Sequence, residues 1–507
     1  MKHRRILSGL AALMLTASLP MSALAREWDI ADGDITIVAD NDGQKVSQGT
    51  ENDISDDNPI IIGNSATNTV SIVAEKDRTA NVTLSGANID GSNTVKAAVS
   101  TTGEGNVSIE LDGDSTLKSG FTHAGLEKNN GGSLTIADED KNGKLTAEGG
   151  GYGAGIGGGY NGTGSDITIS GGEVKATGGA YGAGIGGGWG GSGSDITISG
   201  GEVKATGGAF GAGIGGGQGG SDITISGGEV NATGGAYGAG IGGGWGSSGS
   251  DITISGGEVK ATGGIYGAGI GGGYNGDGSD ITVSGSEVKA TGGVNGAGIG
   301  GGLQGKGKDI TVSGDAKLKV QGGVESWTDG AGAGIGNGGS NAYGSQIPGA
   351  EVKPDTSGLT TGRIEYYAPS ADMDKDAPSQ TIVGTYIPPQ PAREAAAPAQ
   401  PAAPLYRVTD GDGKDVSYET TWRDGVLTVT VEADRAVLTG RLSGIASLQA
   451  QGIESIVFIT KGATSEFLTA DLLAAAPATE RYALTHDGET VTFTAGEADV
   501  SGILVKA

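Results

Sequence analysis

Tyr160, Trp189, Trp245 and Tyr274 hold the same place in a recurring phrase, directly after Gly-Gly-Gly, with Gln218 and Leu303 in that slot where no aromatic stands. Flat rings at a regular spacing can stack on the faces of sugars. The slot begins the turn whose length varies between copies, which predicts an outward position and makes these four residues the candidate carbohydrate-binding set. The competing reading is packing of the turn against a neighbouring copy. A second aromatic set, Tyr152, Tyr181, Phe210, Tyr237 and Tyr266, shares parity with the Ala and Ile of Gly-Ala-Gly-Ile-Gly and is expected to stack internally.

Acidic residues recur as well. Asp166, Asp195, Asp222, Asp251, Asp280 and Asp309 form one column. Gly190-Gly-Ser-Gly-Ser-Asp195 resembles a calcium-binding nonapeptide, but Thr197 takes its apolar position and the motif returns once per copy rather than every nine residues. Calcium wants six to eight oxygens, so the six aspartates are calcium candidates only beside a plainer role, closing turns by accepting from backbone N–H groups. Asp372-x-Asp374-x-Asp376 lacks the Gly and Glu of an EF-hand loop, and it and Asp53/Asp56/Asp57 read as solvated turns. Glu173, Glu202, Glu229, Glu258 and Glu287 are expected to stack beside Lys175, Lys204, Asn231, Lys260 and Lys289 as a mutually neutralising face, with contact to uronic acids or their calcium salts a minor role.

No constellation for catalysis emerges, and no residue is assigned a catalytic role. Gly153-x-Gly155-x-x-Gly158 matches a dinucleotide fingerprint, yet every later copy does too, and none precedes a helix. Arginine is absent between Arg78 and Arg363, so a lyase-type arginine base is missing from the repeats. Near-identical copies offer no unique, asymmetric group of residues. His123, where later copies have Gly153, reads as a loop residue. Thr168/Ser170 and their equivalents to Thr311/Ser313 make a hydroxyl array of the kind found in ice-binding β-helices, although hydroxyls are also common on solvated strands.

These residues must be positioned by the repeat itself. Gly-Ala-Gly-Ile-Gly occurs seven times between residues 153 and 336, and the aspartates are spaced 29, 27, 29, 29 and 29 residues apart. A fixed period of that size marks a solenoid. Residues 166–194 hold twelve glycines, which excludes a helix. What remains alternates in three short segments: Ile167/Ile169 against Thr168/Ser170, Val174/Ala176 against Glu173/Lys175/Thr177, and the Gly-Ala-Gly-Ile-Gly segment. Three strands per copy predict the coil of a parallel β-helix.

Before the regular copies, Ile35–Val38, Ile60–Ile62, Val70–Val73, Val82–Leu84 and Val107–Ile109 read as strands of irregular first coils spanning 26–132, with regular repeats over 133–340 and a cap over 341–387. Residues 388–404 contain six of the thirteen prolines and predict an extended linker. Residues 405–507 have ordinary composition and predict a small β-rich domain: strands at 426–431 and 456–460, a helix over 466–475 and a hairpin around His486–Glu489.

At the amino terminus, Lys2 to Arg5, an apolar run and Ala23-Leu24-Ala25 form a signal-peptide pattern over 1–25, with no cysteine after it for a lipid anchor. Removing its three cations takes the net charge from −27 to −30, which speaks against nucleic acid. The chain has no cysteine, so disulfides and thiolate metal sites are excluded. An exported, cysteine-free chain of 507 residues points to a bacterial source.

The segments VSIELDGDSTLKSG…AGL (107–126) and SLTI…GKLTAEGG…GAGIGGG (133–159) resemble secreted bacterial carbohydrate-binding-domain proteins with a pectate-lyase-like right-handed β-helix. The resemblance covers about residues 30–340, and tandem GAGIGGG is its best mark. It implies non-catalytic binding of plant-type or other polysaccharides, sometimes with calcium. The expectation is an all-β chain, secreted or at a cell surface, with no membrane span, in contact with a polysaccharide, a cell wall or a host surface. The alternative is a structural adhesin or spacer; a polysaccharide lyase or hydrolase and an ice-binding protein rank below it.

Overall fold

The computed structural model describes residues 25–384 and 406–506, apart from 327–328, 343–344, 412–413, 415, 424, 476–480, 489 and 497. The signal-peptide pattern, except Ala25, and the proline-rich linker lie outside these residues. The chain divides into two compact units, 1–387 and 388–507.

In the first unit each regular coil contributes three strands, for example Gly164–Ile169, Glu173–Thr177 and Ile185–Gly186. Each pairs in parallel with its copy one coil later, so Ile167 meets Ile196, Val174 meets Val203 and Ile185 meets Ile214. The result is a right-handed parallel β-helix with sheets of 11, 12 and 13 strands. Side-chain alternation decides which way each strand faces. Ile167, Ile169, Val174, Ala176, Ala183 and Ile185 are fully or almost fully buried, whereas Glu173 and Lys175 are exposed. Stacking converts these positions into one continuous core from Trp28 to Tyr366. No single coil could bury enough apolar surface to offset the ordering of its backbone.

The irregular segments belong to the same helix. Trp28, Ile61, Leu84, Ile109 and Ile136 lie in successive strands of the first sheet. One sheet at each end is extended by antiparallel pairing: the 13-stranded sheet by Ile35–Asp40, Gly43–Gln48 and Glu51–Ser55 at the amino end, and the 12-stranded sheet by Arg363–Tyr367 with Gln380–Val383 at the carboxyl end. Each such cap covers the terminal parallel strand of its sheet, an edge that would otherwise be open to pairing with another chain.

Two glycines show why the repeat tolerates so little substitution. Gly186 has φ +124°, and a Cβ there would collide with the carbonyl oxygen of Gly215 in the next coil. Gly179, with an ordinary φ, would meet the carbonyl of Gly150. Glycine here brings successive backbones into contact.

Among its described residues, the second unit has two five-stranded sheets and two short α-helices, Leu442–Ala450 and Thr469–Ala475. Strands at Val426–Thr430 and Ser455–Ile459 and the hairpin of Arg481–Asp487 with Thr490–Ala495 match the sequence reading. The expected helix over 466–475 is half right. Its first part is the strand Thr464–Leu468, because Ser465 and Phe467 alternate inward and the segment pairs with Ser455–Ile459. The helix Leu442–Ala450 was not anticipated, since its Leu442, Ile445 and Leu448 spacing is too short a run to stand out.

Candidate functional site

The segment from Gly153 to Gly158 leaves the coil surface, places Ile156 in the core and returns, closed by Ala154 N–H donating to Gly158 O at 2.9 Å. Its two ends therefore meet. Tyr152 stands at one side of the mouth and Tyr160 at the other, with ring centroids 5.5 Å apart. The next coil locks this arrangement, because Trp189 N–H donates to Tyr152 O at 2.8 Å. The same bond recurs from Trp245 to Phe210 and from Tyr274 to Tyr237, each 2.8 Å.

The two aromatic columns thus form one seam. Along the first, Tyr152, Tyr181, Phe210, Tyr237 and Tyr266 stack in order, with Tyr181 and Phe210 4.7 Å apart and 5° from parallel, and Phe210 and Tyr237 5.0 Å apart and 3° from parallel. This column was expected inside. It stacks, but each residue lies in the turn before Gly-Ala-Gly-Ile-Gly and is only half-buried, and none joins the core. Parity failed because Tyr181 precedes the strand, which begins at Ile185.

The second column takes up its outward place. Tyr160 is 47% and Trp245 48% exposed, while Trp189 and Tyr274 are half-buried. Tyr160 stands at 72° to Tyr152, Trp245 at 71° to Phe210 and Tyr274 at 89° to Tyr237. The stacked rings cover one another's faces and offer edges; the crossing rings have planes that run along the array. Trp189 is the exception, tilted by 30° to Tyr152, with its ring centroid 5.3 Å from that ring and 5.6 Å from Tyr181. Gln218 divides the column into Tyr160/Trp189 and Trp245/Tyr274, and Leu303, 4% exposed, ends it. Phe121 extends the seam at its amino end, 63% exposed and 4.8 Å from Tyr152. The sequence reading missed it because Phe121 lies in a coil whose glycine phrase is degenerate.

The aspartate column meets a backbone requirement of the coil. All six residues adopt a left-handed backbone with φ between 51° and 55°, set between Ser165 and Ile167 or their equivalents. Asp tolerates that conformation where β-branched residues do not. The six stand one per coil. Among the described residues, the acidic side chains whose oxygens converge within 4.8 Å are Glu110, Asp138 and Asp140. There Glu139 N–H donates to Glu110 at 2.6 Å, and burial, then the neighbouring acids, pushes the Glu110 carboxyl up.

The glutamate and lysine columns align in register, Glu173 to Glu287 and Lys175 to Lys289, with Asn231 in the lysine line. Lys144 bonds Glu173 at 2.8 Å at one end, and Lys317 lies 3.8 Å from Glu287 at the other. The Asp372–Asp376 turn is not simply solvated: Asp374 reaches Lys289 at 2.7 Å and Lys319 at 3.6 Å, which anchors the turn to the sheet and lowers the Asp374 carboxyl's affinity for a proton. Asp56 is also no solvated residue. It is buried and accepts from Trp28 Nε1 at 2.9 Å and from the Arg26 backbone at 3.3 Å.

The model for the Beta helix repeat family matches residues 141–160, 167–189, 196–218, 223–245, 252–274 and 281–303. The matched segments are six successive coils of the parallel β-helix. The matched segments end at Tyr160, Trp189, Gln218, Trp245, Tyr274 and Leu303, so the outer aromatic column sits at the last position of each repeat. No curated protein and no solved structure matches the chain. No helix among the described residues is long and apolar enough to cross a membrane.

Proposed function

We propose that the protein is an exported bacterial carbohydrate-binding protein, holding an extracellular polysaccharide without catalysis along the aromatic seam. The observation that carries this reading is the geometry of Tyr160 and Trp245, half exposed and set at 71–72° to the stack behind them. Rings in that pose are held rigid from behind and keep aromatic surface free, the arrangement that lets apolar sugar faces stack at little ordering cost. Coils repeat about every 4.8 Å, so Trp189 and Trp245, two coils apart, are separated by roughly 10 Å. That is comparable to a disaccharide unit of an extended chain running along the array.

A second reading is favoured by the near-identity of the coils: a spacer or adhesin stalk whose repeats set only length. Pull-down of the mature chain on insoluble plant, mucin and microbial polysaccharides separates the two. Retention on at least one matrix supports the binder, and passage through all of them leaves the spacer. Release of reducing ends or unsaturated products by the pure protein would overturn the non-catalytic part.

A further inference from the structure

The coils are nearly uniform except where the seam begins. At the position of Gly157 stands Glu127, one strand earlier, and Lys128 and Asn129 follow where Gly158 and Gly159 lie in the next coil. Glu127 is 6% exposed, and its carboxylate accepts from three groups: Ala124 N–H at 2.9 Å, Asn129 Nδ2 at 2.8 Å and His123 Nδ1 at 2.8 Å. A buried carboxylate with three donors is satisfied as an acceptor, and its bond to Nδ1 orients the imidazole. Nε2 has no protein partner among the described residues and is left to bond a ligand, as acceptor in the neutral ring and as donor in the protonated one. The imidazole keeps 29% of its side chain exposed.

This group abuts the aromatic seam. Gly159, next to Tyr160, is so close that a Cβ would lie 2.6 Å from Glu127 Oε2. Tyr160 N–H donates to Thr122 O at 2.7 Å and Tyr152 N–H to Phe121 O at 2.9 Å, so the turn carrying Phe121 and His123 is the first rung of the seam. The arrangement cannot recur farther along, because a side chain at Gly157, Gly186 or Gly215 would strike the carbonyl of the following coil.

We infer that His123 forms a hydrogen-bonding subsite for a single sugar residue at the head of the seam, its Nε2 bonding a sugar hydroxyl while Phe121 offers a stacking face and Glu127 positions the imidazole. The inference rests on the glycan reading of the seam and adds what the seam lacks, a directional polar group that distinguishes one sugar or one chain end from another. Glu127 and Asn129 act through His123 and are positioning residues.

The test uses the full mature chain labelled with ¹⁵N-histidine and three probes: laminarin, galactomannan and polygalacturonate. With the probe that the wild type binds, the His123 Nε2 resonance is expected to move. His123→Ala should weaken binding about tenfold, the loss of one buried hydrogen bond. Glu127→Gln should weaken it less and alter the tautomer signature at Nδ1, a readout that a merely structural role would leave in place. An unmoved Nε2 resonance overturns the subsite whatever the variants do. His123→Ala binding like wild type while Trp245→Ala loses affinity overturns the subsite and leaves the seam intact. A wild-type chain that binds none of the three and passes through every matrix of the pull-down removes both.

Discussion

The identity of a residue here reports backbone conformation as often as chemistry. At Asp251 the left-handed φ of 54° sets the requirement, and Asn shares Asp's tolerance for it. Asp251→Asn should leave the thermal midpoint within a degree or so of wild type, whereas Asp251→Val should cost about 1–3 kcal/mol, read by chemical unfolding. A loss of stability in the Asn variant would show that the carboxylate charge matters instead. His486, in the second unit, is fully buried, with its ring nitrogens 3.0 Å from Thr460 Oγ1 and 2.8 Å from Ser465 Oγ. Burial pushes its pKa down to about 4. The unfolded chain, with an ordinary pKa of about 6.5, binds a proton first as pH falls, so stability declines between about pH 6.5 and 4 by on the order of 3 kcal/mol. Urea unfolding of that unit at pH 7 and pH 4.5 checks this; equal midpoints would contradict it.

At the scale of elements, the coil was legible because its strands alternate with period two. Ile167/Ile169 and Val174/Ala176 face inward as the pattern predicts. The glycine phrase was less legible. Seven residues with no side-chain periodicity beyond Ala and Ile form a loop whose only regular strand is Ile185–Gly186, so parity could not say where Tyr181 points. Contacts between coils were also invisible: the His123–Glu127 group and the Glu110, Asp138 and Asp140 cluster depend on local departures from the repeat or on residues from successive coils. The stacked element makes its own prediction. Ile214→Ala removes a fully buried side chain between Ile185 and Ile241 and should cost about 2–5 kcal/mol, with little change in the seam.

Over the whole molecule, stability is a sum over neighbouring coils, and the repeat unit is the quantum of change. Deleting residues 222–250, one 29-residue step, should give a folded array with unchanged register, while deleting half that length should break all three sheets. Circular dichroism and limited proteolysis of both deletions distinguish them; equal tolerance would contradict a register-locked helix. The function proposed for this array depends on the outer rings, and affinity electrophoresis through gels containing the polysaccharide retained in the pull-down tests it most directly. The mature wild-type chain should be retarded, and Trp189→Ala with Trp245→Ala should restore most of its free mobility, a loss of at least tenfold in affinity. Equal retardation of wild type and double variant would contradict the seam as the binding site.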